Sequence, residues 1–524
     1  MRRHPSHPAS WLLALLVLAP LTGQRLTADE DGPPALPGLE QPEVLSRGPV
    51  HEAFAEPVNL QVQLGLVAAE PPPPNIDEVP PAERPQGQQF AWIPGYWSWD
   101  ADRNGYIWVS ACWRAAPPKM SWMPGYWSPV PRGWEWIAGF WAPAGVRELE
   151  YLPAPPVVDD VEPRGTPPSA DMIWVPPCMY WGQGRYARRS GYWLPAQSDW
   201  VWVPSHYVAT PRGYVFAEGH WDYSLERRGV LFAPVFFPAA MQGRSDFTYT
   251  PSVVLDMGLL RVSLFAYPQY SHYYFGDYYD DAYRRVGIQP WFDSARLRTW
   301  YDPLYEHERW LNGRSEPRWE DRQRDDYKRR LADQDLRPAR TFREQESRLA
   351  RLPEPQRRAA QVVRPFAGAV EHRETPLKYE RISPDARQRI ATKAGAVRTF
   401  RDERNRWESD APRPPAALAP REREGTVEAP PRRPEAPPPG VEPPGPSRRE
   451  AAPPRPRQAE APQAERVQIP PPPAAGRSGL QDIFRRGPPT RPADEGRDAE
   501  GRDFRRGKAS ERDSRGGRGE RRDD

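Results

Sequence analysis

Large apolar side chains cluster along this chain between residues 90 and 237, where they recur as one phrase: an aromatic, a spacer, Trp, an apolar residue, often Pro-Gly, then Tyr-Trp. It reads Trp92-Ile-Pro-Gly-Tyr-Trp97, Trp122-Met-Pro-Gly-Tyr-Trp127 and Trp136-Ile-Ala-Gly-Phe-Trp141, with looser copies starting at Trp108, Trp174, Arg188, Trp202, Phe216 and Phe232. Within two groups the starts lie 14 or 16 residues apart, so the fold has to be read as a repeat. Two residues before each start stand Phe90, Tyr106, Met120, Trp134, Met172, Tyr186, Trp200, Tyr214 and Val230. That spacing puts the pair on one side of a strand. One residue after the start stand Ile93, Val109, Met123, Ile137, Val175, Val203, Ala217 and Ala233, with Arg189 the exception, so the other side is mostly apolar too. Pro-Gly in mid-phrase removes a ladder donor and admits unusual dihedrals, which predicts a bend or bulge inside each strand. Asp102-Arg-Asn-Gly105, Pro131-Arg-Gly133 and Pro211-Arg-Gly213 supply turn chemistry. The pattern predicts a mainly β fold, an aromatic-rich antiparallel β-meander of about nine 14-residue repeats. Short solvated helices and a long disordered Pro/Arg/Glu-rich tail are expected to follow.

The remaining segments divide by composition. Met1-Arg-Arg3 and the apolar run from Trp11 to Leu21 predict a signal peptide over 1–28, cleaved after Leu26-Thr-Ala28 or, alternatively, near Gly23. The run is too short to span a bilayer comfortably and no second one follows, so no transmembrane segment is expected in the mature chain. An uncleaved anchor is the competing reading. Residues 29–86 read as a Pro-rich spacer holding one alternating patch, Val58 to Val67. Then come the first repeat group (87–145), a linker (146–171), the second group (172–237) and a Tyr-rich β extension (238–301). Residues 302–409 are charged and partly helical, with helices expected near 306–311, 319–331, 342–352 and 383–399. From 410 to 524 too few large apolar residues remain to offset chain entropy, and disorder is expected.

The Trp-x-x-Gly-x-Trp phrase, as in Trp92 to Trp97, Trp122 to Trp127 and Trp136 to Trp141, resembles the WXXGXW/YXWGXW repeat proteins of bacteria. Tyr273-Tyr-Phe-Gly-Asp-Tyr-Tyr279, Trp291-Phe and Tyr301-Asp-Pro-Leu-Tyr305 are similar to segments of secreted planctomycete proteins carrying those repeats. The resemblance spans roughly residues 90–342, implies an exported envelope protein and supplies no catalytic residues. The copies at Trp108, Trp174, Trp202 and Phe232 depart from it by lacking the Gly.

Lys+Arg 73 against Asp+Glu 70 leaves a net charge of +3, so no strong overall field recruits nucleic acid. Acidic residues interrupt the Arg-Gly runs near the C-terminus almost throughout, and no nucleic-acid partner is expected. No nucleophile elbow, phosphate loop or zinc-protease helix appears, and the chain reads as non-enzymatic, without cofactor or metal. Asp277, Asp280 and Asp281 lack calcium-loop spacing and predict a tyrosine-lined surface turn instead.

The fifth slot of each copy, held by Tyr96, Tyr126, Phe140 and Tyr192, also holds Cys112, Cys178, His206 and His220. If these slots meet between groups, Cys112 and Cys178 form a candidate disulfide worth roughly 4 kcal/mol. A zinc site from the two Cys and two His is disfavoured by spacings of 66, 28 and 14 residues. Two readings of function remain. One is a structural or interaction protein of the cell envelope with an aromatic β scaffold and a polyampholyte arm, whose partners are envelope polysaccharide or other envelope proteins. The alternative is a polysaccharide- or cell-wall-binding module whose stacking platform is Trp97, Trp113, Trp127, Trp141, Trp193 and Trp221. Burial of those indoles favours the first and an exposed row the second.

Overall fold

The computed structural model describes residues 41–410, apart from 63, 147, 148, 159, 160, 162, 164, 297–299 and 372–375. The expected signal segment, the start of the spacer and the tail from 411 onward lie outside the described residues.

Each of the first eight repeat copies forms two short strands separated by a two-residue bend at its third and fourth slots, as the Pro-Gly step predicts. Copies then pair two by two as bent antiparallel hairpins. Hairpin I covers residues 90–115, hairpin II 120–143, hairpin III 172–195 and hairpin IV 200–223. The bend explains the spacing of the phrase. Five steps along one continuous strand would put the two Trp on opposite faces. With the bend between them, the first-slot residue of one copy stands opposite the sixth-slot residue of the next. Trp92 faces Trp113, Trp97 faces Trp108, Trp122 faces Trp141, and Trp127 faces Trp136. Trp174 with Trp193 and Trp202 with Trp221 repeat the rule. Ring centroids in these six pairs are 5.1–5.4 Å apart, tilted or edge-on, the arrangement the aromatic quadrupole prefers.

Nine copies leave one unpaired. The ninth crosses back to hairpin I, where Gly229–Leu231 adds to Cys112–Ala115 and Val235 pairs with Trp108. Glu43–Val44 then adds to Val235–Phe236. The two groups are therefore knitted by a strand returning over the whole repeat region.

From residue 41 the expected spacer is part of this fold rather than a free extension. Val58–Asn59 pairs with Trp300–Tyr301, Val67–Ala68 with the strand Gly133–Ile137, Asp77–Glu78 with Thr248–Tyr249, and Glu83–Pro85 with Tyr379–Arg381. Ala53 and Phe54 are fully buried. Proline has no N–H to offer but keeps its carbonyl, and the repeat aromatics use it. The Trp97 indole donates to the carbonyl of Pro74 at 3.0 Å, and the Tyr106 hydroxyl to that of Glu70 at 2.7 Å. The Pro-rich segment thus satisfies the polar tips of two aromatics of hairpin I.

The tyrosine segment is likewise interior, which corrects the expected surface turn. Leu264–Tyr267 and His272–Phe275 form a hairpin whose Tyr270, Tyr273, Tyr274, Tyr278 and Tyr279 are buried. Their hydroxyls are tolerated inside because several find partners: Tyr273 donates to Asp302 at 2.6 Å, and Tyr270 bonds Ser98 at 3.0 Å. Asp277 and Asp280 face Arg337 and Arg340 instead of a cation site.

Helices follow as expected at Pro303–Gly313, Trp319–Ala332 and Phe342–Leu349, the last opened by a Thr341–Glu344 capping box. The final helix, Pro384–Ser409, is capped by Ser383 and reaches back onto the repeats. It buries Ala394 and Val397, and fully buries the charged pair Arg404 and Glu408. Among the described residues no helix is long and apolar enough to cross a membrane.

Candidate functional site

The chemistry that recurs from copy to copy sits at the bends. A Cβ at Gly139 would lie 2.4 Å from the Trp122 ring, at Gly191 2.3 Å from Trp174, and at Gly219 2.9 Å from Trp202. The first-slot indole of one arm therefore lies against the fourth slot of the other. None of Gly95, Gly125, Gly139, Gly191 and Gly219 adopts positive φ. Glycine is required here for space under an indole, not for the unusual dihedral expected from sequence.

Bending the strands also frees backbone amides, and two glutamates from the Pro-rich segment take them. Glu52 accepts from Gly125 N through one oxygen and from Gly139 N through the other, each at 3.0 Å. Glu78 accepts from Ala111 N at 3.0 Å in hairpin I. Hairpin IV lacks such a carboxylate, and the Ser205 hydroxyl accepts from Gly219 N at 2.9 Å. Burial pushes the Glu52 carboxyl up to about 7, against the pull of Gly139, Gly125 and Arg404. Glu78 is pushed to about 7 by the same cause, against the Ala111 amide and Arg398. From the opposite side Arg404 donates to the carbonyl of Pro124 at 2.9 Å, and His51 lies 3.2 Å from that of Pro94.

A second buried charge cluster ties hairpins I and IV to the 51–57 loop. Arg114, fully buried, holds both oxygens of Asp222 at 2.7 and 2.6 Å and donates to the carbonyl of Ala53 at 2.8 Å. Arg228 joins Asp222 at 3.0 Å and the carbonyl of Phe54 at 2.8 Å. Burial by itself would raise Asp222, but Arg114 and Arg228 hold it below the ordinary carboxylate range. Nothing in the repeat phrase signals Glu52, Glu78 or Arg404. They lie outside it, in segments read as a Pro-rich spacer and as a charged, partly helical region.

The candidate platform divides. Trp97, Trp113, Trp127 and Trp141 are buried, and only Trp193 and Trp221 are half-buried. No continuous exposed row of these six indoles exists.

Cys112 and Cys178 are both free thiols. In each hairpin the fifth slot opens the strand after the bend and stands opposite the second slot of the copy it pairs with, so it is partnered within its own hairpin rather than between groups. Cys112, on hairpin I, has Ile93 and Leu231 opposite it, whereas Cys178 lies on hairpin III opposite Arg189. Burial pushes the Cys178 thiol up to about 11 and Cys112 higher still. His206 and His220 do come together, around the bend of hairpin IV, and burial lowers both, His206 to about 4. Among the described residues no group of three or more His, Cys, Asp or Glu is placed to hold a metal.

Hairpin III stands apart. It keeps the register of the others, but its outer strands, Cys178–Gly182 and Arg185–Arg189, are half-buried to exposed, whereas the corresponding strands of hairpin I are almost wholly buried.

Residues 90–114, 120–142 and 198–222 match the WXXGXW repeat family, whose model describes two copies. These stretches coincide with hairpins I, II and IV, and hairpin III falls outside them. No curated protein and no solved structure matches the chain. The chain is thus a carrier of WXXGXW repeats.

Proposed function

We propose that this chain is a non-enzymatic structural or interaction protein, exported through its N-terminal signal and held in the bacterial cell envelope, the secreted planctomycete type it resembles. The observation that carries the scaffold reading is the burial of all eight first- and sixth-slot indoles of hairpins I and II as cross-strand pairs. Each withdraws about 150–250 Å² from water, worth about 4–6 kcal/mol before chain entropy is counted. Side chains engaged in this way serve as interior and are not available to a ligand. The buried charges support the same reading, since Glu52, Asp222, Arg114 and Arg404 are all spent on backbone groups or on one another.

Export rests on the basic start and apolar run of residues 1–21. Fractionation of cells producing the tagged full chain, with N-terminal sequencing, tests it. The expected result is an envelope or extracellular protein beginning just after Ala28; an unprocessed cytoplasmic protein overturns it.

A further inference from the structure

Hairpin III differs from its three counterparts in charge as well as in cover. Hairpin I carries Asp100 and Asp102, hairpin II Glu135, and hairpin IV Glu218 and Asp222, whereas no acidic residue lies between Asp171 and Asp199. The same stretch holds Arg185, Arg188 and Arg189. In a chain whose charges nearly balance, this is a locally basic stretch. Its register places Arg189 opposite Cys178, Ala187 opposite Tyr180 and Arg185 opposite Gly182. Strand alternation puts these residues on one side, with Arg185 and Arg189 about 13 Å apart and Tyr180 between them.

Arg189 is held by rings. Its guanidinium lies 4.9 Å from the centre of Tyr192 and 5.6 Å from that of Tyr180, whose hydroxyl accepts one N–H at 3.4 Å. Tyr180 is in turn fixed by Phe216, 5.1 Å away, and by Ser205 at 3.2 Å. An arginine set on tyrosine faces is oriented without being neutralised. Tyr180 and Tyr192 remain half-buried and Arg185 and Arg189 exposed. The tip is a two-residue turn, with Gln183 and Gly184 both left-handed at φ 52° and 73°.

We propose that this side of hairpin III binds an acidic polysaccharide, with Arg185 and Arg189 taking carboxylate or sulfate groups along the polymer and Tyr180 and Tyr192 lying against sugar rings. Charge complementarity selects an anionic polymer over a neutral one, and two cations spaced along a strand suit a repeating acid better than a single anion. The choice of glycan over single-stranded nucleic acid, which also combines stacking with arginine, rests on the exported reading above.

Affinity electrophoresis of the full chain through polygalacturonate, through neutral amylose, and against a single-stranded oligothymidylate tests this. Polygalacturonate is expected to retard the protein, amylose not, and the Arg185→Gln/Arg189→Gln variant to bind about tenfold more weakly or worse. Both arginines are exposed, so far-ultraviolet circular dichroism and the thermal unfolding midpoint of the variant should match the parent. Equal retardation by amylose, retardation unchanged in the variant, or tighter binding to oligothymidylate each overturns the proposal. An envelope-located protein that ignores polygalacturonate sinks this inference alone, whereas a cytoplasmic one sinks the exported reading beneath it.

Discussion

Glu52 and Arg404 close the bend of hairpin II from opposite sides: the glutamate takes the amides of Gly125 and Gly139, and the arginine donates to the carbonyl of Pro124 at 2.9 Å. One residue precedes the repeats and the other lies in the last described helix, so the chain on both sides of the aromatic region is needed to finish its backbone hydrogen bonding. An unpaired buried amide costs about 1–3 kcal/mol, enough to matter in a fold of ordinary marginal stability.

Replacing Glu52 by Gln keeps the size but turns an amide nitrogen toward a backbone N–H that needs an acceptor. We expect a loss of about 2 kcal/mol or more in urea unfolding followed by tryptophan fluorescence. An unchanged midpoint would show that the carboxylate is not what holds the bend.

The spatial role assigned to the fourth-slot glycine predicts that Gly139→Ala, whose Cβ meets the Trp122 ring at 2.4 Å, destabilises by about 1–3 kcal/mol. Gly105→Ala, whose nearest neighbour is the Arg103 carbonyl at 3.7 Å, should cost under about 1 kcal/mol. Equal effects at the two positions would contradict the packing account.

His206 gives a pH signature. Burial lowers its folded value from 6.5 to about 4. Below pH 6.5 the unfolded chain takes up a proton that the folded chain refuses, so stability falls as pH drops from 6.5 to about 4 and levels off beneath that. His206→Phe, a residue the repeat already uses at Phe140, removes this contribution. The variant should gain on the parent by up to about 3 kcal/mol across that window while differing little in its pH slope above 7. A stability difference independent of pH between 7 and 4 would refute the assignment.

Free thiols at Cys112 and Cys178 predict that both titrate with a thiol reagent in denaturant without reductant. In the native protein the half-buried Cys178 should react slowly and the fully buried Cys112 not at all. Absence of any thiol in the unfolded, unreduced protein would restore the disulfide.

The tryptophan period, the bend inside each copy, the turns and most helix positions were legible in the sequence because each is local. Trp92 and Trp97 carry their own spacing, Ser383 its own cap and Pro131-Arg-Gly133 its own turn. Whether indoles face a core or a ligand was not legible, because that depends on what covers the strand. Hairpins I and III share one register yet differ in burial, since Pro74, Glu78 and the final helix pack on the first, whereas the outer strands of the second stay half-buried to exposed. Nor could spacing tell that Cys112 and Cys178 sit on different hairpins, or that Glu52, Glu78 and Arg404 finish the bends. The repeats by themselves determined what kind of strand forms. The partner of each bent edge was decided only in three dimensions, because an amide or carbonyl freed by a bend takes whichever group the distant chain brings within about 3 Å.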